Sequence, residues 1–129
     1  IKAVEVFPEL ALLLSTSGST GSPKLVRHSY KNILESAKNV AQLFELDGSE
    51  RALAFLPLQY TMGLSVASSH IYAGATVLLE ESSLTTPQFW SFTKEQKASS
   101  ITGVPYSYLI KEKLRFFRMP LPDLKLITQ

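Results

Sequence analysis

The chain has 129 residues and a formal net charge of +2, with 45% hydrophobic and 19% charged residues. These values predict one domain with a real core, and the charge is too small and too evenly spread to favour nucleic-acid binding. The sequence has no cysteine, which excludes disulfides and cysteine-ligated metals. It has no apolar run near the roughly 20 residues that span a bilayer.

The most specific segment is a run of hydroxyl residues and glycines directly behind an apolar stretch. Residues 15–24 read Ser-Thr-Ser-Gly-Ser-Thr-Gly-Ser-Pro-Lys and follow the strand-like run Leu10–Leu14. Gly18 and Gly21 permit positive φ and a close approach of the backbone to a ligand, and successive N–H groups in such turns can converge on an anion. Lys24 adds a flexible positive charge. The segment therefore predicts a polyphosphate loop, with a flexible Ser/Gly linker as the alternative.

The spacing of this loop differs from the Walker A motif, in which four residues separate the first glycine from a Gly-Lys pair. Here no glycine precedes Lys24, and Leu25 follows it where the motif has Ser or Thr. Lys24–His28 alternates polar and apolar residues, which indicates a strand. We therefore predict a β-hairpin whose tip carries the loop, and a P-loop kinase is disfavoured.

Helix-like and strand-like runs alternate downstream of the loop. Ser29 can cap a helix whose apolar residues between Ile33 and Phe44 share one face, with Gly48 near its end. The pattern then predicts strands at 52–56, 75–79, 100–104 and 124–128, and helices at 64–72, 86–97 and 106–117. This order predicts an α/β fold with a mostly parallel sheet and helices on both faces. Ligand sites in such sheets lie at the carboxyl ends of the strands.

Several single residues have structural interpretations in this scheme. Gly74 is predicted to close helix 64–72, and Thr86 to cap the helix that begins with Pro87. His70 lies on an apolar helix without a Ser or Asp partner at an interpretable spacing, so we expect a structural role and no hydrolase triad.

The phosphate loop resembles the signature of the AMP-forming adenylation superfamily, which includes acyl- and aryl-CoA synthetases, peptide-synthetase adenylation domains and luciferases. Thr16–Lys24 matches Ser/Thr-Ser-Gly-Ser/Thr-Thr-Gly-x-Pro-Lys without a gap. Further similar elements follow in the family's order: His28-Ser29, Pro57–Leu64, Gly74–Leu78 and Thr102–Pro105. The resemblance covers essentially the whole chain. It implies that residues 1–129 are a single subdomain, an excised central part of the large N-terminal domain of an adenylate-forming enzyme.

The resemblance also implies a reaction and its ligands. The intact enzyme would activate a small carboxylic acid with ATP and Mg²⁺ and pass the acyl group to coenzyme A or to the phosphopantetheine of an acyl carrier protein. The implied ligands of the ATP phosphates are Thr16, Ser17, Gly18, Ser19, Thr20, Gly21 and Lys24, with Thr20 also implied at the Mg²⁺. We expect no nucleic-acid partner and no membrane span. We expect a cytoplasmic location.

The acyl pocket is implied to include Tyr60 and Gly63. The alternative for Tyr60 is a side chain that only packs, and the alternatives for Gly63 are a close contact with a neighbouring segment or a plain turn. Tyr106 and Tyr108 flank a helix start and are expected to pack. The basic helix residues Lys111, Lys113, Arg115 and Arg118 are expected on a solvated face, with contact to coenzyme A phosphates or a carrier protein as the alternative.

Two hypotheses for the chain as given stay open. The resemblance implies no catalytic residue within it, because the family's catalytic Lys and its adenine- and ribose-binding segments lie further along the sequence. Under one hypothesis the chain is part of an acid–thiol ligase and is inactive when isolated. The whole ligase would resemble acyl-CoA synthetases or be an adenylation domain that loads a carrier. Under the other hypothesis the chain is a non-catalytic structural subdomain with weak polyphosphate binding.

Overall fold

The computed structural model describes residues 6–16 and 24–129, apart from the side chain of Phe117. Residues 17–23, most of the predicted phosphate loop, lie outside this part. Two strands and a helix come first along the chain: β1 (Leu10–Ser15), β2 (Leu25–Ser29) and α1 (Tyr30–Leu43). Strands and helices then alternate: β3 (Arg51–Ala54), α2 (Thr61–Tyr72), β4 (Thr76–Leu79), α3 (Pro87–Glu95), β5 (Ser100–Thr102), α4 (Pro105–Lys113), a 3₁₀ helix (Phe116–Arg118) and β6 (Leu126–Thr128).

The first two strands form the predicted β-hairpin. They pair antiparallel, with Leu14 opposite Val26 and Leu12 opposite His28. A register irregularity lies between Leu10 and Leu12, at the end of the hairpin away from the loop. The hairpin prediction from the alternation of residues 24–28 is therefore confirmed.

Helix α1 begins at the residue that the sequence predicts. The Oγ atom of Ser29 accepts a hydrogen bond from the backbone N–H of Asn32 (3.1 Å), and Asn32 Oδ1 accepts one from the backbone N–H of Ser29 (3.4 Å). This reciprocal capping box satisfies two N–H groups that the helix itself leaves without partners. The helix ends at Leu43, and the left-handed residue beyond it is Glu45, with φ 52; Gly48 lies further along the chain.

We expect Ser29→Ala to lower the free energy of unfolding by about 1 kcal/mol, because it removes the side-chain acceptor of this capping box. Urea unfolding measures the difference. Ser36→Ala is the matched control: Ser36 is exposed in the middle of the same helix, where alanine is the better helix former. Equal stabilities for the two variants would show that the capping box contributes little.

The remaining four strands form one parallel sheet in the order β4-β3-β5-β6. Leu53 lies opposite both Leu78 on β4 and Ile101 on β5, so the three side chains form a row on one face. The predicted mostly parallel sheet is confirmed.

Helices cover both faces of this sheet, as predicted. On one face, Phe89 of α3 is fully buried in a core with Leu53 and Ile101, and Ile110 of α4 packs against the same core. Ser100 precedes Ile101 and points to the opposite face, where its hydroxyl contacts His70 of α2. Helix α1 packs on the outside of α2.

Several element boundaries differ from the sequence prediction. Strand β3 ends at Ala54, two residues early, and α2 begins at Thr61, three residues early. Thr86 precedes α3 without capping it, because its hydroxyl donates instead to the carbonyl of Ser83 (2.8 Å). The predicted long fourth helix is interrupted at Arg115, whose φ of 53 breaks the helical path.

The fourth helix also corrects a prediction about charge. Lys111 was expected on a solvated basic face, but only 1% of its surface is exposed. Lys113, Arg115 and Arg118 are exposed as expected. Helical spacing places residue 111 on the face of α4 that packs against the sheet, so its four-carbon side chain is buried.

Candidate functional site

The base of the predicted phosphate loop is closed by two hydrogen bonds. The backbone N–H of Thr16 donates to the carbonyl of Lys24 (2.9 Å), and the backbone N–H of Lys24 donates to Thr16 Oγ1 (3.3 Å). The side chain of Lys24 is exposed. The two ends of the loop, Thr16 and Lys24, are therefore held together where the hairpin strands meet it. The roles predicted for Ser17, Gly18, Ser19, Thr20 and Gly21 fall outside the described residues and stay predictions.

The hairpin faces the start of α2 across a cleft of about 770 Å³. Thr16 lines this cleft from the loop base, and Tyr60 and Thr61 line it from α2. The structure thus brings together two residues that the sequence placed in different roles, a phosphate ligand and an acyl-pocket residue. His28 of β2 also lines the cleft and was not predicted there. The position of His28 in the sequence, two residues before α1, does not indicate that it lines a cleft.

Tyr60 has the geometry of a residue that a ligand can reach. It is the N-cap of α2, with extended backbone at φ −105 and ψ 148, and its side chain is 59% exposed. No side chain caps the helix, and its first turn carries no acidic residue. The backbone N–H groups at the start of α2 are therefore available to an anion in the cleft.

Gly63 allows α2 to approach the backbone that follows β3. A Cβ atom at this position would lie 2.4 Å from the carbonyl oxygen of Pro57 and 2.6 Å from that of Leu56. This supports the alternative of a close contact with a neighbouring segment. A role of Gly63 in the acyl pocket stays a prediction.

A second, mostly apolar cavity of about 180 Å³ lies beneath α2. Met62 of α2, the residue after Thr61, lines it on one side. Thr102 and Thr128, at the carboxyl ends of β5 and β6, also line it. Its apolar lining comes from several elements: Val40, Phe44, Leu46, Met62, Val66 and Leu126. The two threonine hydroxyls lie 2.7 Å apart and form a polar wall. Sequence analysis did not find this cavity, because residues from distant segments build it.

His70 lines the same cavity and is held by both ring nitrogens. Its Nδ1 atom lies 2.8 Å from the carbonyl oxygen of Val66, and its Nε2 atom 3.2 Å from Ser100 Oγ. Since a carbonyl only accepts, Nδ1 carries a proton, and Nε2 lies within hydrogen-bond distance of the serine hydroxyl. These contacts support the expected structural role of His70.

Within residues 6–16 and 24–129, there is no group of three or more His, Asp or Glu side chains that could hold a metal ion. Thr20, implied at Mg²⁺, lies outside these ranges. Among the same residues no helix is long and apolar enough to cross a membrane.

Comparison with known proteins identifies the family. Residues 5–119 match the sequence pattern described as AMP-binding enzyme. The chain belongs to the AMP-binding enzyme family. The resemblance seen in the sequence is confirmed.

Two relatives of this chain carry the names of different enzymes. The oxalate–CoA ligase of Arabidopsis thaliana is 35% identical over 97 residues, which cover 74% of this chain and 19% of that protein. One of the linear gramicidin synthase polypeptides of Brevibacillus parabrevis is 31% identical over 97 residues, which cover 74% of this chain and 1% of that protein.

Among solved structures, the inhibitor-bound N-terminal domain of FACL13 from Mycobacterium tuberculosis matches with a TM-score of 0.81 at 25% identity. The match covers 98% of this chain and 32% of that one. The chain therefore spans at most about a third of the proteins it is compared with here.

Proposed function

We propose that the whole protein is an AMP-forming acid–thiol ligase that activates a small carboxylic acid, as acyl-CoA synthetases do. Family membership and a relative named as a CoA ligase support this proposal. The observation that carries it is the shared cleft, which sets the anchored base of the phosphate loop at Thr16 opposite Tyr60. A phosphate chain and a carboxylate can meet there.

The reaction has two steps. A carboxylate oxygen attacks the α-phosphorus of ATP, the bond from that phosphorus to the bridging oxygen breaks, and pyrophosphate leaves with both electrons of that bond. A thiolate then attacks the acyl carbon of the acyl-adenylate, and AMP leaves with the former carboxylate oxygen. Both steps depend on bringing two anions into line, so positioning and positive charge lower the barrier.

The chain's own residues would supply this positioning. Thr16 and the loop hydroxyls and N–H groups would hold the β- and γ-phosphates, and Lys24 would offset their charge. The start of α2 would face the reacting carboxylate beside Tyr60. The tail of the acid would enter the apolar cavity beyond Met62.

Mg²⁺ would neutralise phosphate charge in this site. Hydroxyl and phosphate oxygens are hard ligands of the kind Mg²⁺ prefers, and Thr20 is the residue of this chain that would contribute one.

The acceptor thiol is proposed to be that of coenzyme A, with a carrier-protein phosphopantetheine as the second candidate. The linear gramicidin synthase relative is the reason to keep the second candidate, because its identity of 31% is close to the 35% of the CoA ligase. Mass spectrometry of the product, with coenzyme A and a phosphopantetheinyl carrier offered together, separates them. A cytoplasmic location belongs to the same proposal.

We expect Lys24→Ala to lower pyrophosphate exchange by about tenfold, since a charge-assisted contact to phosphate contributes about 1.4 kcal/mol. Exchange is measured on the full-length protein with labelled pyrophosphate, ATP and a panel of acids. Lys94→Ala is the matched control, because Lys94 is an exposed lysine on α3, which packs on the far side of the sheet from α2. No exchange with any acid, or full exchange after Lys24→Ala, would sink the proposal.

A further inference from the structure

The amine of Lys111 is enclosed without a hydrogen-bond partner. Its side chain is 1% exposed, and the Nζ atom has no hydrogen-bond partner among the described residues. It lies 4.3 Å from the centroid of the Tyr108 ring and 5.4 Å from that of Phe116. On its third side is the backbone of Gly103, where an added Cβ would lie 3.4 Å from Nζ. The amine thus occupies a cage of two rings and a strand end.

This cage is joined to the end of the neighbouring strand. Tyr108 Oη donates a hydrogen bond to the backbone carbonyl of Thr128 at 2.5 Å. The backbone N–H of Gly103 donates to the same carbonyl at 2.9 Å. Two walls of the Lys111 cage therefore hold one atom, the last paired carbonyl of β6.

The same threonine contributes to the apolar cavity on the other face of the sheet. The hydroxyl of Thr128 lies 2.7 Å from that of Thr102, and both residues line the cavity beneath α2. A shift of the Thr128 backbone would carry this hydroxyl pair with it. Lys111 is in this way connected to the cavity wall without touching the cavity.

We propose that Lys111 is a positioning residue. Through Tyr108 and Gly103, its amine determines the position of the carboxyl ends of β5 and β6. These ends carry the Thr102–Thr128 wall of the cavity, whose position therefore differs between the neutral and the protonated form of the amine. The significance for acid selection rests on the proposed function, because that cavity is where the acid's tail would bind. The mechanical connection itself does not depend on the reaction.

The two forms of the amine place different demands on the cage. A neutral amine packs against rings as a nearly apolar group, whereas an ammonium needs oxygen acceptors or water to offset its desolvation. The carbonyl of Thr128 is such an acceptor, and it is already bonded to Tyr108 and Gly103, two neighbours of the amine. Protonation would therefore strain the bonds that hold this carbonyl.

Among the groups in the cage, the amine of Lys111 is the one whose protonation changes with pH in the range of the test. Its neighbours are the ring of Tyr108, the ring of Phe116 in the 3₁₀ helix and the backbone of Gly103 just after β5, and Tyr108 is the titratable one of these three. Burial lowers the pKa of Lys111 to about 8, and burial raises the pKa of Tyr108. The Lys111 amine therefore changes charge near pH 8, whereas the Tyr108 hydroxyl keeps its proton there.

The test follows the methyl resonances of Thr102 and Thr128 by NMR between about pH 6.5 and 9.5, in protein without acid or nucleotide. We expect both resonances to titrate with a midpoint near pH 8 in the wild type. Lys111→Met should remove this titration, and Lys111→Arg should hold the resonances near their low-pH positions, since the guanidinium stays charged. His70 lines the same cavity, so it is the loss in Lys111→Met that assigns the titration to Lys111.

Tyr108→Phe is the matched variant for the route. It keeps the ring over the amine but removes the donor to Thr128, so the amplitude of the Thr128 titration should fall by about half or more. A flat wild-type profile, a titration that survives Lys111→Met, or an unchanged Thr128 amplitude in Tyr108→Phe would each overturn the proposal. Because no substrate is added, these outcomes are independent of whether the protein exchanges pyrophosphate.

Discussion

Replacing Lys111 with methionine is expected to raise the free energy of unfolding by about 3 kcal/mol at pH 7. Burial lowers the pKa of this lysine from 10.5 to about 8. At pH 7 the folded protein therefore holds an ammonium in an unfavourable place, at about 1.4 kcal/mol for each pKa unit. Methionine fills the same space without a charge, and replacing a poorly compensated buried charge with an apolar group is often stabilising.

The gain should depend on pH in a definite direction. Between pH 8 and 10.5 the unfolded chain still binds the proton that the folded state has released, so the wild type becomes more stable as pH rises. The advantage of Lys111→Met is thus complete below pH 8 and disappears above 10.5. Urea unfolding at pH 7 and pH 10 measures it, with Lys113→Met, at an exposed position of α4, as the control. A loss of stability at pH 7, or a gain equal at both pH values, would contradict the prediction.

Gly63→Ala is expected to destabilise the protein by about 3 kcal/mol, at the upper end of overpacking effects. The new methyl would lie 2.4 Å from the carbonyl oxygen of Pro57, and that backbone cannot give way as a flexible side chain can. The first turn of α2 would have to shift, and Tyr60 and Thr61 with it. Denaturant unfolding measures the loss of stability.

Gly48→Ala is the control for this substitution. A Cβ at Gly48 would meet its nearest atom at 3.5 Å, an ordinary contact, so we expect a change within about 0.5 kcal/mol. If both variants lost equal stability, the cause would be the lost glycine itself and not the contact with residues 56 and 57.

The sequence predicted most of the fold because local pattern and tertiary packing agree there. The alternation of residues 24–28 gave the second hairpin strand, and Ser29 gave the start of α1 through a contact three residues away. The boundaries that failed depend on other forces. Arg115 takes a left-handed φ that no local signal favours, and the hydroxyl of Thr86 bonds a turn carbonyl instead of the helix.

The candidate site could be predicted in part. The loop residues are contiguous, so the motif predicted Thr16 and Lys24, and the resemblance predicted Tyr60; of these three, Thr16 and Tyr60 line the cleft. The apolar cavity was missed because α1, α2, β5 and β6 each contribute only a few of its residues. The burial of Lys111 was missed because charge patterns do not reveal which lysine of a helix faces the sheet.

The role we propose for the loop and the cleft is acid activation by transfer of an adenylyl group. The most direct test uses an acid that supports pyrophosphate exchange, labelled with ¹⁸O in its carboxylate, with the full-length protein, ATP and a thiol acceptor. Because the carboxylate oxygen attacks the α-phosphorus and leaves with AMP, we expect ¹⁸O in AMP and none in pyrophosphate. Label in phosphate or pyrophosphate, or an AMP free of label while thioester accumulates, would contradict it.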